Sequence, residues 1–408
     1  MSQPQIEPTP VNVVVLVVDQ ITAGMLGPYG NTVCETMNFN RLAARSLVFD
    51  FAFANSPDLN VAYQAFWKTH DTIQPAGGNL PGFLAAAGFD TVLITDETSL
   101  SDHELAEFDR IIAFEQPDVQ TSANSAAETQ LAIFFAQATS LLTEMEAGSL
   151  YWLHSRGLRG AWDAPYFHRT QLADSEDPDP PAFVASPSMW LDPQTVDPDE
   201  LLGLQTAAAA QVQLLDEFLG VLLDLMDSQP IWQNTLFCLA APRGCALGEH
   251  GLVGAGAQLF NESVQIPLMA CLPGLNHSLR AMRSGNLVQA NLMSEIIQAW
   301  FASDRHQFEE RLVSKANVAP DRRTECILIS SNEQDSLQTH AWKLIRSKMG
   351  GVQLFAKPDD RYEVNNVSDR CPEIVAKLVL LLDHLLETKT ASGKLQLELP
   401  DDLAFGLN

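Results

Sequence analysis

Residues Val11 to Val18 read VNVVVLVV, an aliphatic, β-branched run that stops abruptly at Asp19-Gln20. A strand apolar on both faces has to be covered on both faces, the condition of a central strand in a mostly parallel sheet layered with helices. In such sheets functional groups gather beyond the carboxyl ends of the strands, so Asp19 stands where a site residue is expected.

The chain goes on alternating in the same way. Gly24, Gly27, Pro28 and Gly30 mark a loop. A helix is predicted over Asn38 to Arg45 with Asn38 as its cap, then a strand over Leu47 to Phe53. Leu80 to Ala87 reads as a helix closed by Gly88, followed by the strand Thr91 to Thr95. Further helices are expected over Ala126 to Met145, Leu201 to Met226 and Asn286 to Phe301. Strands are expected over Ser149 to His154, Thr235 to Ala240 and Val264 to Leu272, with a Gly-rich loop from Gly244 to Gly256. From Arg323 the texture changes to short strands (Cys326 to Ile329, Trp342 to Arg346, Val352 to Phe355) and a last helix, Pro372 to Leu386.

The expected fold is α/β: a large, mixed, mostly parallel sheet flanked by helices, with a smaller C-terminal α+β subdomain carrying an antiparallel sheet. The expected boundaries are 8–305 for the main domain, 172–200 for an acidic, Pro-rich insertion within it, 322–388 for the subdomain and 389–408 for a tail.

Composition narrows the function. The 51 Asp and Glu against 24 Lys and Arg give a formal charge of −27, a field that repels phosphate backbones and anionic lipid heads. Nucleic acid and membrane surfaces are therefore not expected partners; a small anion or a protein is, and a homo-oligomer stays open. No uninterrupted apolar run reaches the roughly 18 residues of a spanning helix. Met1 to Pro10 has no Lys or Arg, so no secretory signal is expected. The six cysteines lack a Cys-x-x-Cys pair, as expected of reduced thiols in a cytoplasmic protein.

Generic motifs are missing. The sequence has no Gly-x-x-x-x-Gly-Lys-Ser/Thr, no Gly-x-Ser-x-Gly and no His-Glu-x-x-His, and none of its nine histidines pair at metal-ligand spacing on one helix. His250 and Glu249 alone suggest a hydrogen-bonded loop rather than a catalytic pair.

The order of several longer stretches resembles the type I sulfatases of the alkaline phosphatase superfamily. These are Asn12 to Gln20 with Leu26-Gly-Pro-Tyr-Gly30, Asn38 to Arg45 with Val48 to Pro57, Leu80 to Thr91, Leu247-Gly-Glu-His-Gly-Leu252, and Phe260 to Leu268. Ala341 to Ile345 and Asp360 to Val367 resemble that family's C-terminal subdomain. The resemblance implies a calcium-dependent sulfuric ester hydrolase using a formylglycine made from Cys or Ser in Cys/Ser-x-Pro-Ser-Arg, with Lys, His and Arg clamping the sulfate.

Matched position by position, this chain departs from that pattern. Asp19 fits the first metal ligand and Gln20 stands for a commoner Asp. Leu59 falls at the nucleophile, Val61 at the Pro and Tyr63 at the Arg, with Ser56 the nearest hydroxyl. The second metal stretch reads Ala241-Pro242-Arg243-Gly244, so Pro242 and Arg243 replace ligands. The clamp residues become Asp96, Thr98, Arg159 and Ala255.

Two expectations follow. In the first, the protein is a non-catalytic binding or regulatory relative of sulfatases, without calcium or another cofactor, in which Arg243 takes the cation's place against Asp19. In the second, it is a sulfate or phosphate ester hydrolase with rearranged residues: Arg156, Arg159 and Arg243 as an anion clamp and His154, His250 or Asp58 as base. Arg159, Arg243 and His250 are the anion-binding candidates. Tyr63 and Trp67 are expected to pack into the core rather than stack on a ligand.

Overall fold

The computed structural model describes residues 12–68, 79–272, 280–302, 322–388 and 398–407, except 101, 104, 105, 186, 193 and 324. Met1 to Pro10 and positions 389–397 of the expected tail lie outside the described residues.

The aliphatic run forms β1 (Asn12–Val18), buried at every residue. The other strands of its sheet are β2 (Leu47–Phe53), β3 (Asp90–Thr95), β4 (Arg110–Ala113), β5 (Ser149–Ser155), β7 (Thr235–Ala240), β10 (Leu268–Cys271) and β11 (Met282–Gln289). Their order is β11-β2-β10-β7-β1-β5-β3-β4. β10 alone runs against its neighbours β7 and β2; every other pairing is parallel. Because β1 lies between β5 and β7, with Val17 opposite both His154 and Ala240, the ends of these three strands converge at one point.

The sheet is covered by helices α1 (Met37–Ala43), α2 (Leu59–Trp67), α3 (Leu80–Ala86), α4 (Gln130–Leu142), α5 (Tyr166–Thr170), α6 (Pro198–Ser228), α7 (Asn261–Val264) and α8 (Leu292–Ala302). α6 has the length and mean hydropathy of a membrane-crossing segment, but 67% of its most apolar stretch is buried within the protein, against α1, α4 and α5. It carries the buried Asp216, whose Oδ1 accepts from the Asn38 and Phe39 backbone N–H groups at 2.9 and 2.8 Å. Asp216 thus does for α1 what a local cap would do. Asn38 is accordingly not the cap; its amide donates to the Asp216 carbonyl at 3.0 Å.

Two elements differ from expectation. Residues 286–289, predicted helical, belong to the edge strand β11, which among the described residues pairs only with β2 and carries an irregularity between Ser284 and Leu287. Only Ser284 and Leu287 of β11 are buried, so its polar residues blur the strand signal. The predicted strand Val264–Leu272 shrinks to β10, because Asn261–Val264 turns as a helix and Pro267, lacking an N–H, precedes the ladder.

The 172–200 segment contributes β6 (Met189–Trp190), which pairs with β9 (Leu252–Gly254); β9 pairs in turn with β8 (Ala246–Leu247). It is pinned by Arg169, fully buried, whose guanidinium donates to the Pro181 and Trp162 carbonyls.

The C-terminal unit is an antiparallel sheet of β12 (Ile327–Ser330), β13 (Gln334–Gln338), β14 (Trp342–Ser347) and β15 (Val352–Ala356), packed against α9 (Pro372–Thr388) and α10 (Asp401–Phe405). The described end of the expected tail is therefore part of this core: Leu399, just before α10, and Leu403 within it are buried, and Trp342 Nε1 donates to the Asp402 carbonyl at 2.8 Å. A charged cluster joins this unit to the main domain. Lys343, fully buried, lies 3.0 Å from Glu363 Oε1 and donates to Asn261 Oδ1 at 2.8 Å. Lys357 Nζ reaches the same Glu363 oxygen at 2.7 Å, and the Asn261 N–H donates to Glu363 Oε2 at 2.9 Å.

Candidate functional site

At the carboxyl ends of β1, β5 and β7, Asp19 is wholly buried. Its N–H donates to the Ser155 carbonyl at 3.0 Å and its carbonyl accepts from the Leu158 N–H at 3.1 Å, which fixes the backbone. The approach depends on Gly157, whose φ is +53°; a Cβ there would lie 2.4 Å from the Asp19 carbonyl oxygen. Gly244 plays the same part beyond β7, where a Cβ would lie 2.1 Å from the Glu262 carbonyl oxygen. Thr22 Oγ1 ties these loops together, accepting from the Cys245 N–H at 2.8 Å and lying 2.6 Å from the Glu262 carbonyl.

Arg243 lies bidentate on Asp19, Nε to Oδ1 and Nη2 to Oδ2, both at 3.0 Å, and Nη1 donates to the Pro57 carbonyl at 3.1 Å. Burial alone would lower the guanidinium's pKa, but the Asp19 carboxylate more than offsets it and the net direction is upward. A planar fork on a carboxylate is the strongest charge-assisted geometry that side chains offer.

Ser56 is buried and accepts the Asp58 N–H at 3.2 Å. Asp58 caps α2 by accepting from the Val61 N–H at 3.1 Å. Leu59 is the first residue of α2 and Tyr63 lies one turn on, fully buried. The Tyr63 hydroxyl meets His154 Nδ1, and its ring packs on Trp67 at a centroid distance of 4.7 Å. Trp67 is itself buried against Trp152. Burial, reinforced by the Asp19 charge, pushes the Tyr63 phenol well up. Burial, with the Arg159 and Arg243 cations adding to it, holds His154 well below the usual imidazole range. The pair is therefore neutral, and His154 Nε2 has no hydrogen-bond partner among the described residues.

Above Asp19 opens a cleft of about 300 Å³, lined among others by Asp58, Leu59, Arg159, Arg243 and Ala255. Arg159 is ion-paired with Glu97, and Arg156 Nε stands 3.9 Å from the same carboxylate. Asp96 accepts the Arg156 N–H at 2.7 Å and the Gln116 amide at 2.9 Å. Neither His154 nor His250 lines the cleft. His250 stacks on Phe260 at 3.6 Å, with Nε2 3.4 Å from Glu262 Oε1. The cleft thus brings together Asp58, Arg159 and Arg243 from the candidates, and separates His250 from them. Glu97 and the far wall from the C-terminal unit, Ser331 and Asn332, had no sequence signal; only the fold places them here.

Calcium takes six to eight oxygen ligands, several of them charged. Here both Asp19 oxygens are committed to Arg243, Gln20 offers one neutral oxygen without a partner among the described residues, and Pro242 offers no side-chain donor. Among the described residues no group of three His, Cys, Asp or Glu is arranged to hold a metal ion. This donor set does not fit calcium.

Burial raises Asp96 from 3.8 to about 6. A carboxyl raised in the folded state binds its proton more tightly there, so its contribution is present below pH 4 and is lost as pH rises through 6. Urea unfolding of wild type should show a loss of about 3 kcal/mol across that window that Asp96→Asn does not share. Parallel pH profiles would contradict the assignment.

No family model matches the chain. A stretch of 167 residues, 39% of the chain, is 25% identical to the choline-sulfatase of Rhizobium meliloti (strain 1021) and spans 32% of that protein, about a third of its length. More than nine-tenths of the chain superposes on solved hydrolases. The phosphonate monoester hydrolase of Agrobacterium radiobacter matches with a TM-score of 0.73 at 14% identity, over 93% of this chain and 95% of that one. A 2-O GAG sulfatase matches with a TM-score of 0.70 at 13% identity, over 98% and 96%. The chain has the fold of these sulfatase and phosphonate hydrolase structures. What it shares with these proteins is the scaffold, over more than nine-tenths of its length.

Proposed function

We propose that this chain is a sulfatase-fold protein that binds through its cleft and does not turn over esters. The observation that carries the reading is Arg243 lying bidentate on Asp19, a guanidinium where the resemblance expects a metal ion. Leu59, at the start of α2 and on the cleft wall, has no atom that can form a covalent ester intermediate, so the covalent route has no nucleophile there. Tyr63 and Ser56 are no substitutes: one is a buried, neutral phenol against His154 and the other is buried beneath the α2 cap. The six free cysteines suit a reducing, cytoplasmic setting, to which the proposal extends.

The test is a turnover screen of the purified protein against p-nitrophenyl sulfate, p-nitrophenyl phosphate, bis(p-nitrophenyl) phosphate and a phenylphosphonate monoester, with and without added calcium. Rates at the uncatalysed background are expected throughout. Turnover that disappears in Arg159→Ala would replace this reading with a hydrolase of rearranged machinery.

A further inference from the structure

His250 stands where the main domain meets the C-terminal unit, with its backbone in the left-handed region that favours glycine, at φ +51°. Its ring lies flat on Phe260, 3.6 Å away and within 7° of parallel. One ring nitrogen is hydrogen-bonded to the Tyr362 backbone, across the junction. The other, Nε2, is buried with no hydrogen-bond partner among the described residues, and Glu262 Oε1 stands 3.4 Å from it.

Burial pushes the His250 pKa down, so the ring is neutral at neutral pH. A neutral imidazole that donates from Nδ1 to a carbonyl presents a lone pair at Nε2. A carboxylate oxygen facing that lone pair repels it, whereas a carboxylic acid donates to it. The geometry therefore calls for a proton on Glu262. The surroundings keep that proton in place: burial pushes the carboxyl from 4.5 to about 8, with the Glu363 and Glu249 charges adding to the push and Lys343 opposing it. Lys357 is taken up by Glu363. Arg361 and the thiols of Cys34 and Cys245 line the same cavity as Glu262, and burial holds both thiols protonated, each pushed up to about 12.

We propose that Glu262 and His250 share one proton, and that this proton latches the C-terminal unit to the main domain. Glu262 belongs to α7, whose Asn261 already bonds Lys343 and Glu363 of the C-terminal unit, and His250 reaches Tyr362 of the same unit. Removing the proton sets a carboxylate against the imidazole lone pair and adds a third charge to those of Glu249 and Glu363. A carboxyl raised in the folded state contributes fully below pH 4.5, and its contribution is lost as pH rises through 8. The latch therefore opens on the alkaline side. The inference is independent of whether the cleft above Asp19 is catalytic.

Hydrogen–deuterium exchange of the full chain between pH 6.5 and 9, corrected for intrinsic exchange, tests it. Backbone amides of 261–265 and 360–367 should lose protection at least tenfold with a midpoint near 8, while those of β1 keep theirs. Glu262→Gln, whose amide donates to Nε2 at every pH, should hold the same amides protected at pH 9. Lys343, its pKa pushed down by burial, also sheds its proton on the alkaline side, but it does so in the variant as well. A loss that persists in Glu262→Gln therefore overturns the proposal, as does unchanged protection in wild type or a loss shared equally by β1. Should the variant fail to fold, carbon-13 NMR of wild type labelled at glutamate Cδ decides. One carboxyl titrating near 8 supports the latch, and titration of every glutamate below pH 6 overturns it.

Discussion

Arg243→Ala is expected to destabilise the protein by about 3–5 kcal/mol, because it leaves Asp19 buried, charged and without a counterion. Urea unfolding should show the loss at neutral pH. The pair's net worth is a separate quantity. Taking a carboxylate and a guanidinium out of water costs nearly as much as their attraction returns, so Asp19→Leu with Arg243→Met should recover most of the single variant's loss. A double variant as unstable as Arg243→Ala would mean that packing, not stranded charge, dominates. If Arg243→Ala proved as stable as wild type, the guanidinium would not be what satisfies Asp19.

Glu363→Gln should cost a similar 3–5 kcal/mol for the mirror-image reason. Lys343 and Lys357 converge on one carboxylate, with side chains 0% and 6% exposed, so a neutral amide there leaves two buried ammonium groups facing each other. Burial already pushes the Lys343 pKa down, against the Glu363 charge that supports it, and removing that charge leaves only the downward push. The loss should therefore shrink as pH rises, since a lysine freed of its partner escapes the penalty by releasing its proton. A cost below 1 kcal/mol at neutral pH would show that the cluster does not hold the C-terminal unit to the main domain.

These two clusters differ in how far the sequence announces them. β1 was legible because a buried parallel strand carries an unbroken aliphatic signature, and Asp19 follows directly from where that strand ends. Arg243 was legible because a cation in place of a metal ligand leaves one simple partner within reach. Lys343, Lys357 and Glu363 were not: nothing local in the sequence says which lysine is buried, and the cluster exists only once β14 packs on the Asn261 loop. The Tyr63–His154 contact joins residues 91 positions apart and likewise needs the sheet to assemble it. The edge strand β11 and the end of the chain failed for another reason. Their apolar residues are few and the surfaces they cover lie elsewhere in the sequence, so periodicity within the segment carries little information.

A guanidinium stands on Asp19 where the resemblance expects a divalent cation. Calcium titration of the chelator-treated protein by isothermal calorimetry distinguishes the two occupants. No binding is expected at concentrations up to a millimolar. One calcium bound per chain, and abolished by Asp19→Asn, would contradict it.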